Sequence, residues 1–248
     1  MWRRTHGLVP GDAPEGGLGR RAGGGEAALR VLGIDPGIAT CGFGVIERGT
    51  GGPGRPVVLE YGALHPKGSG DPARLRVLYA EICRLVERHR PDAAAVERLF
   101  HTRNVSTAAS VGQARGVVLL ALAQAGVPIG EYTPTEAKLA VAGYGRADKA
   151  QMQAMVATQL GLAAPPRPDD AADALGLCLC HLLGQGLRDR LLAAGEAPAG
   201  ELRRAGGTAA IGRLEALVRA ERHRRPPPAV PVRPRGQGAG RRGGGLPS

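Results

Sequence analysis

Apolar positions recur with a readable period only between residues 30 and about 185. RVLGIDPG is an apolar run stopped by Asp-Pro-Gly, and CGFGVIE alternates. Two strands joined by a short turn are predicted. The Gly-rich GTGGPGRP separates them from a third strand in VVLEYGALH. Three strands in series with short links predict an antiparallel meander. Asp71-Pro72 then reads as an N-cap followed by a proline at the first helical position. Leu75, Leu78, Tyr79, Ile82 and Val86 follow at helical spacing as far as Pro91. AAAVERLF is apolar enough for a buried fourth strand. Residues 105–125 read as a long helix closed by Gly126, and VPIGEYT as a fifth strand. Asp148 with Gln151 has the pattern of a capping box ahead of Met152, Val156 and Leu160, with Gly161 as the stop. Pro168 and Asp169 open a last helix expected to run to about residue 183. The order β-β-β-α-β-α-β-α-α predicts an α/β layer fold: a mixed five-stranded sheet flanked by helices, with two strands added through helical crossovers.

The flanks read differently. Glycine supplies 40 and proline 20 of the 248 residues. Residues 1–28 are Gly/Arg-rich and aperiodic, and residues 186–248 are mostly Gly, Ala, Arg and Pro. Both are expected to be disordered extensions around a domain at 29–185, apart from one helical stretch at 208–223. Leu29-Arg30-Val31 reads as a native start, which would make 1–28 the product of a misassigned initiation codon. The net charge is +11. Residues 186–248 hold thirteen arginines against five acids, whereas residues 30–185 hold sixteen basic and fourteen acidic residues. The excess charge therefore sits in the tail, where it predicts weak, salt-sensitive attraction to phosphates without sequence preference. The four cysteines, at 41, 83, 178 and 180, form no CxxC and no Cys/His ladder, which argues against a zinc knuckle or a disulfide scaffold. No apolar run approaches the ~20 residues that cross a bilayer, and the first thirty residues lack the apolar core of a secretory signal. A cytoplasmic protein with reduced thiols is expected.

Four carboxylates stand out by position. Asp35 ends the first strand and Glu97 the fourth. Asp170 and Asp173 lie three apart near the start of the last helix and so share a face. Sites in α/β sheets collect at the carboxyl ends of strands. If strands one and four are neighbours, Asp35 and Glu97 meet there, within reach of the helical pair. Clustered carboxylates repel and are costly to desolvate, and a cation relieves both. Oxygen ligands without Cys or His favour Mg²⁺ or Mn²⁺. Two such ions, about 3.5–4 Å apart, activate a water and stabilise a leaving 3′ oxygen in phosphodiester hydrolysis. Each acid also fits a plainer role: a turn residue for Asp35, a solvated strand end for Glu97, a helix cap or first-turn dipole partner for the two helical aspartates.

GIDPGIATCGFGVI, AVERLF, VGQARGVV and DDAADALG occur in that order, and residues 30–184 resemble the RuvC-type Holliday junction resolvases. The resemblance implies a ribonuclease H-like fold and a homodimer. It implies a Mg²⁺-dependent, structure-selective endodeoxyribonuclease that nicks two opposing strands of four-way junction DNA in recombination and repair, with Mn²⁺ as a substitute and two ions per active site. It implies a branch-migration helicase of the RuvAB kind as partner. The family's acids fall on Asp35, Glu97, Asp170 and Asp173. Asp35 would bridge the ions, Glu97 and Asp173 would hold one each, and Asp170 would complete the site or position the water. Phe100 matches an aromatic near the junction centre, and Lys138 and Lys149 match basic positions implicated in DNA contact. Arg103 and Asn104, in the FHTRN loop, are further candidates for DNA contact, with Asn104 equally suited to cap the next helix. In the long helix, Ala108, Ala109, Gly112 and Ala114 would allow close packing at a dimer interface. The long extensions at both ends depart from the family pattern.

Other readings remain open on the sequence. An ATP-binding protein of the actin and sugar-kinase class uses a similar strand-turn-strand, but it needs a second such turn, and Asp-x-Gly occurs here only at Asp35. A different ribonuclease H-like nuclease, or a junction-binding protein without catalysis, would share most of these motifs.

Overall fold

The computed structural model describes residues 28–49, 54–98 and 105–193. The predicted extension 1–28, apart from its last residue, and the predicted tail from 194 onward lie outside the described residues, as does the helical stretch at 208–223. Three strands come first: β1 (Leu29–Asp35), β2 (Cys41–Arg48) and β3 (Val57–Leu64). Helix α1 (Asp71–His89), β4 (Ala93–Glu97), α2 (Val105–Gln124) and β5 (Ile129–Tyr132) follow, and then α3 (Pro134–Ala142), α4 (Lys149–Leu160) and α5 (Asp169–Ala193). The sheet order is β3-β2-β1-β4-β5. The β1–β2 and β2–β3 pairs are antiparallel, and β1–β4 and β4–β5 are parallel. The meander and the two crossovers are those expected, and the fold is a mixed α/β sheet.

Strand alternation sorts side chains to two layers. Leu32, Ile34, Val45 and Val96 point to one side and pack with Leu78 and Ile82 of α1 and Val118 and Leu122 of α2. Val31, Ile46 and Ala95 point to the other and pack with Leu175 and Cys178 of α5 and with Met152 and Val156 of α4. Because β1 is central and covered on both sides, Val31, Leu32 and Ile34 are all fully buried. The four cysteines are free thiols. Burial pushes the Cys41, Cys178 and Cys180 thiols up to about 12, which leaves them protonated and unreactive. Among the described residues, no helix is long and apolar enough to cross a membrane.

Three local expectations need correction. The N-cap of α1 is Gly70, not Asp71. The first helical bond runs from the Arg74 N–H to the Gly70 carbonyl, and Gly70 adopts φ 90°, which strains any side-chain-bearing residue. Asp71 therefore sits inside the first turn, where it still favours the helix dipole. Helix α5 continues ten residues past 183, to Ala193, because Gly184 and Gly186 only weaken a helix and do not break it as proline does. Finally, α3 is an additional helix. Thr133 accepts from the Glu136 N–H, and Glu136 reaches back to the Thr133 N–H at 2.6 Å. Pro134 occupies its first turn.

Candidate active site

The register of β1 and β4 pairs Ile34 with Val96. Asp35 and Glu97, one step further, therefore leave the carboxyl ends of adjacent parallel strands side by side. Both point to the α5 side, in phase with Val31 and Ala95. Helix α5 lies against this strip at backbone distance. A Cβ at Gly33 would stand 2.1 Å from the Ala174 carbonyl oxygen, and one at Gly42 would stand 2.1 Å from that of Asp170. A Cβ at Gly44 would meet Leu175 Cδ2 at 2.7 Å. Only glycine lets the helix come this close. The first two turns of α5, which carry Asp170 and Asp173, are thereby held over the end of β1.

The acids act on one another. The Asp35 and Glu97 carboxyls lie within hydrogen-bonding reach of one another. Burial pushes Asp35 up; the bond from Glu97 and the charge of Lys149 oppose that shift, and Asp170 adds to it. Burial, then the bond to Asp35, then the charges of Asp35 and Asp173 push Glu97 up to about 8. Asp173 is pushed up to about 6 by burial and by Asp35, with Lys149 acting the other way. At neutral pH burial and the neighbouring carboxyls therefore favour the protonated form of Glu97. Among the described residues, no three His, Cys, Asp or Glu side chains close around a common point as a metal-binding group. The donor set is nonetheless all carboxylate, short of positive charge, and suited to a hard divalent cation.

A cleft of about 200 Å³ opens beside these groups, lined by Glu97 and Asp173 and by Lys138 of α3 and Lys149 of α4, with Ala137 and Met152 among its apolar walls. Two capping boxes set the lysines in place. Thr133/Glu136 starts the helix bearing Lys138, and Asp148/Gln151 starts the helix whose first residue is Lys149. Lys149 Nζ is 2.9 Å from Asp169 Oδ2. Behind Glu97, its β5 neighbour Tyr132 brings its hydroxyl within 2.9 Å of His181 Nδ1. Burial pushes His181 down to about 4, so the ring is neutral at pH 7.

Of the residues singled out from the sequence, Asp35, Glu97, Asp170 and Asp173 converge, and Lys138 and Lys149 line the same cleft. Phe100, Arg103 and Asn104 lie outside the described residues. The α3 wall of the cleft, the ion pair to Asp169 and the Tyr132–His181 pair were not anticipated. Only the first carried a local signal, in Thr133-Pro134-Thr135-Glu136.

Comparison with known proteins agrees with this geometry. The family model described as crossover junction endodeoxyribonuclease RuvC matches residues 31–181. The crossover junction endodeoxyribonuclease RuvC of Chloroflexus aggregans is 60% identical over 154 residues, covering 62% of this chain and 92% of that protein. The Thermus thermophilus RuvC structure superposes with TM-score 0.60 at 36% identity, covering 64% of this chain and 96% of that one. The same Thermus protein in complex with a Holliday junction substrate gives TM-score 0.59 at 37% identity, covering 62% and 93%. With the family model matching residues 31–181 and a 60% identical relative covered over 92% of its length, this chain belongs to the RuvC family of crossover junction endodeoxyribonucleases.

Proposed function

We propose that this chain is a Holliday junction resolvase that nicks opposing strands of four-way DNA by divalent-cation-dependent phosphodiester hydrolysis, in recombination and repair. The observation that carries the reading is the placing of Glu97 and Asp173 in one cleft with Lys138 and Lys149, with Asp35 beside both acids. The family relationship, with a relative solved on a Holliday junction substrate, supports the substrate.

Asp35, Glu97, Asp170 and Asp173 would hold two Mg²⁺ ions, with Mn²⁺ as a substitute. When bound, the ions supply an activated water and charge stabilisation at the leaving oxygen. The chain's own residues prepare that step. Asp35 and Glu97 would be favoured in their ionised forms by a cation held there. Lys138 and Lys149 draw a backbone phosphate to the cleft mouth against the repulsion of the acids. Ala137 and Met152 form apolar parts of the cleft wall. Phe100, Arg103 and Asn104 follow Glu97 directly in the chain and complete the proposed DNA contacts.

A two-fold dimer matches the symmetry of the junction. Helix α2 offers a face for it: Ala109, Gln113, Gly116, Leu120 and Ala123 are exposed at alternating spacings of four and three, with Leu120 52% exposed. Ala114, one of the small residues anticipated there, faces the core instead. A RuvAB-type branch-migration helicase is the proposed partner and the cytoplasm the proposed location.

The test is a cleavage assay on an immobile four-way junction, a linear duplex and an RNA–DNA hybrid of matching sequence. Paired nicks in the junction with Mg²⁺, lost on chelation, are expected. Equal cleavage of duplex or hybrid would assign the chain to another nuclease activity, and binding without cleavage in Mg²⁺ or Mn²⁺ would make it a junction-binding protein.

A further inference from the structure

Lys149 does not project freely into the cleft. Helix α4 presents Lys149 and Gln153, four residues apart on one face, to the first residue of α5. Lys149 Nζ lies 2.9 Å from Asp169 Oδ2, and Gln153 Nε2 donates to Asp169 Oδ1 at 2.8 Å. Both carboxylate oxygens of Asp169 are thus engaged by α4, and the charge of Arg167 falls on the same group. The side chains of Lys149 and Asp169 are 57% and 53% exposed. An ion pair so open to water is weak and exchanges readily. Lys149 meanwhile lines the cleft with Glu97 and Asp173. One ammonium group therefore faces two anions in turn: the Asp169 carboxylate in the free protein, and whatever phosphate enters the cleft.

We propose that Asp169 is a positioning residue that stands in for the DNA phosphate. It holds Lys149 at the cleft mouth in the free protein and is displaced from it by a backbone phosphate of the junction. This rests on the resolvase reading above. Asp169 acts through Lys149, which its carboxylate holds in the free protein. The exchange of one anion for another on Lys149 lowers the net gain from binding, so the pair works against affinity.

The experiment is a double-mutant cycle read by junction affinity. The full chain, Asp169→Asn, Lys149→Gln and the double variant are titrated with a fluorescently labelled immobile four-way junction at fixed ionic strength, with chelator present so that no strand is cut. Asparagine still accepts from Gln153, so the α4–α5 contact is retained. Asp169→Asn is expected to tighten binding by about two- to fivefold. In the Lys149→Gln background the same change is expected to have no effect, and the tightening is expected to shrink as salt rises. An unchanged affinity in Asp169→Asn would overturn the proposal. So would equal tightening in both backgrounds, which would mark general charge removal. A wild-type chain that binds the junction no better than duplex would overturn the resolvase reading and this inference together. A null cycle in a protein that binds and nicks junctions overturns this inference alone.

Discussion

On the α1/α2 side of the sheet, Leu32, Ile34, Val45 and Val96 meet Leu78, Ile82, Val118 and Leu122. Branched side chains fill that layer and hold helix and sheet a side chain apart. On the α5 side, at the end where the strands finish, Gly33, Gly42 and Gly44 replace such side chains, and the helix backbone rests on the strand backbone. The first arrangement buries apolar area, which stabilises the fold by roughly 25 cal/mol per Å². The second forgoes some of that area and gains proximity, bringing Asp170 and Asp173 to Asp35 and Glu97. Packing layers of opposite design thus sit on the two sides of one strand, β1, divided by the alternation of its residues.

The largest effect should come from the group at the centre of the close-packed side. Asp35→Asn is expected to cut the single-turnover nicking rate of a four-way junction roughly a thousandfold, by analogy with loss of a central charge-stabilising group. Junction affinity measured by titration should be no weaker. Full nicking by this variant would remove Asp35 from the chemistry.

Next, the two layers should respond differently to changes of size. Leu78→Ala opens a cavity on the α1 side and should cost about 2–5 kcal/mol of unfolding free energy. Its nicking rate well below the melting temperature should stay within about twofold. Gly42→Ala overpacks the α5 side and should cost only about 1–3 kcal/mol. It should nevertheless lower nicking by at least about tenfold, because a displacement near 1 Å at a catalytic centre is felt strongly. Equal nicking losses in the two variants would dissolve the distinction.

Much of this division is visible in the sequence only after the fact. The Asp148/Gln151 box, the Gly161 stop and the strand ends at Asp35 and Glu97 are local signals that survive into the structure, whereas the local cap signal at Asp71 gives way to Gly70. The Thr133/Glu136 box is equally local and equally real, yet its short helix follows β5 with no intervening loop and passes for strand and turn. The adjacency of Asp35 and Glu97 depends on β1 pairing with β4 across some sixty residues, which periodicity alone does not specify. Gly33, Gly42 and Gly44 are the hardest to read. A glycine in a strand signals weakness locally, and only the arrival of α5 turns it into a contact surface. The close approach of Lys149 to Asp169 joins two helices whose relative placement no local pattern carries.

The acids also predict an unusual dependence on pH. Glu97, pushed up to about 8, and Asp173, pushed up to about 6, bind protons more tightly folded than unfolded. Their contribution to stability is fully present below the ordinary carboxylate range near 4 and is lost as pH rises through about 6 and about 8. His181, pushed down to about 4, acts in the opposite direction up to about pH 6.5, so the metal-free melting temperature should fall between pH 6.5 and pH 8 in thermal scans. Added Mg²⁺ should raise it more at pH 8 than at pH 5, because the ion competes with those protons. A melting temperature that rises across this range without metal would contradict the crowding of the carboxylates. The smallest effect expected is that of Thr133→Ala, which removes one capping oxygen from α3. It should cost about 1 kcal/mol of stability and change nicking by less than about threefold, since Lys138 remains on a formed helix.

The claim beneath all of this is that acids from β1, β4 and α5 share a cation. Anomalous diffraction from crystals of the whole chain soaked in Mn²⁺ tests it most directly. The account predicts density within coordination distance of both Asp35 and Glu97, with Asp173 or Asp170 beside it, lost in Asp35→Asn. Ordered Mn²⁺ bound elsewhere, with the Asp35–Glu97 carboxyl pair still joined to each other in a protein that nicks junctions, would contradict it.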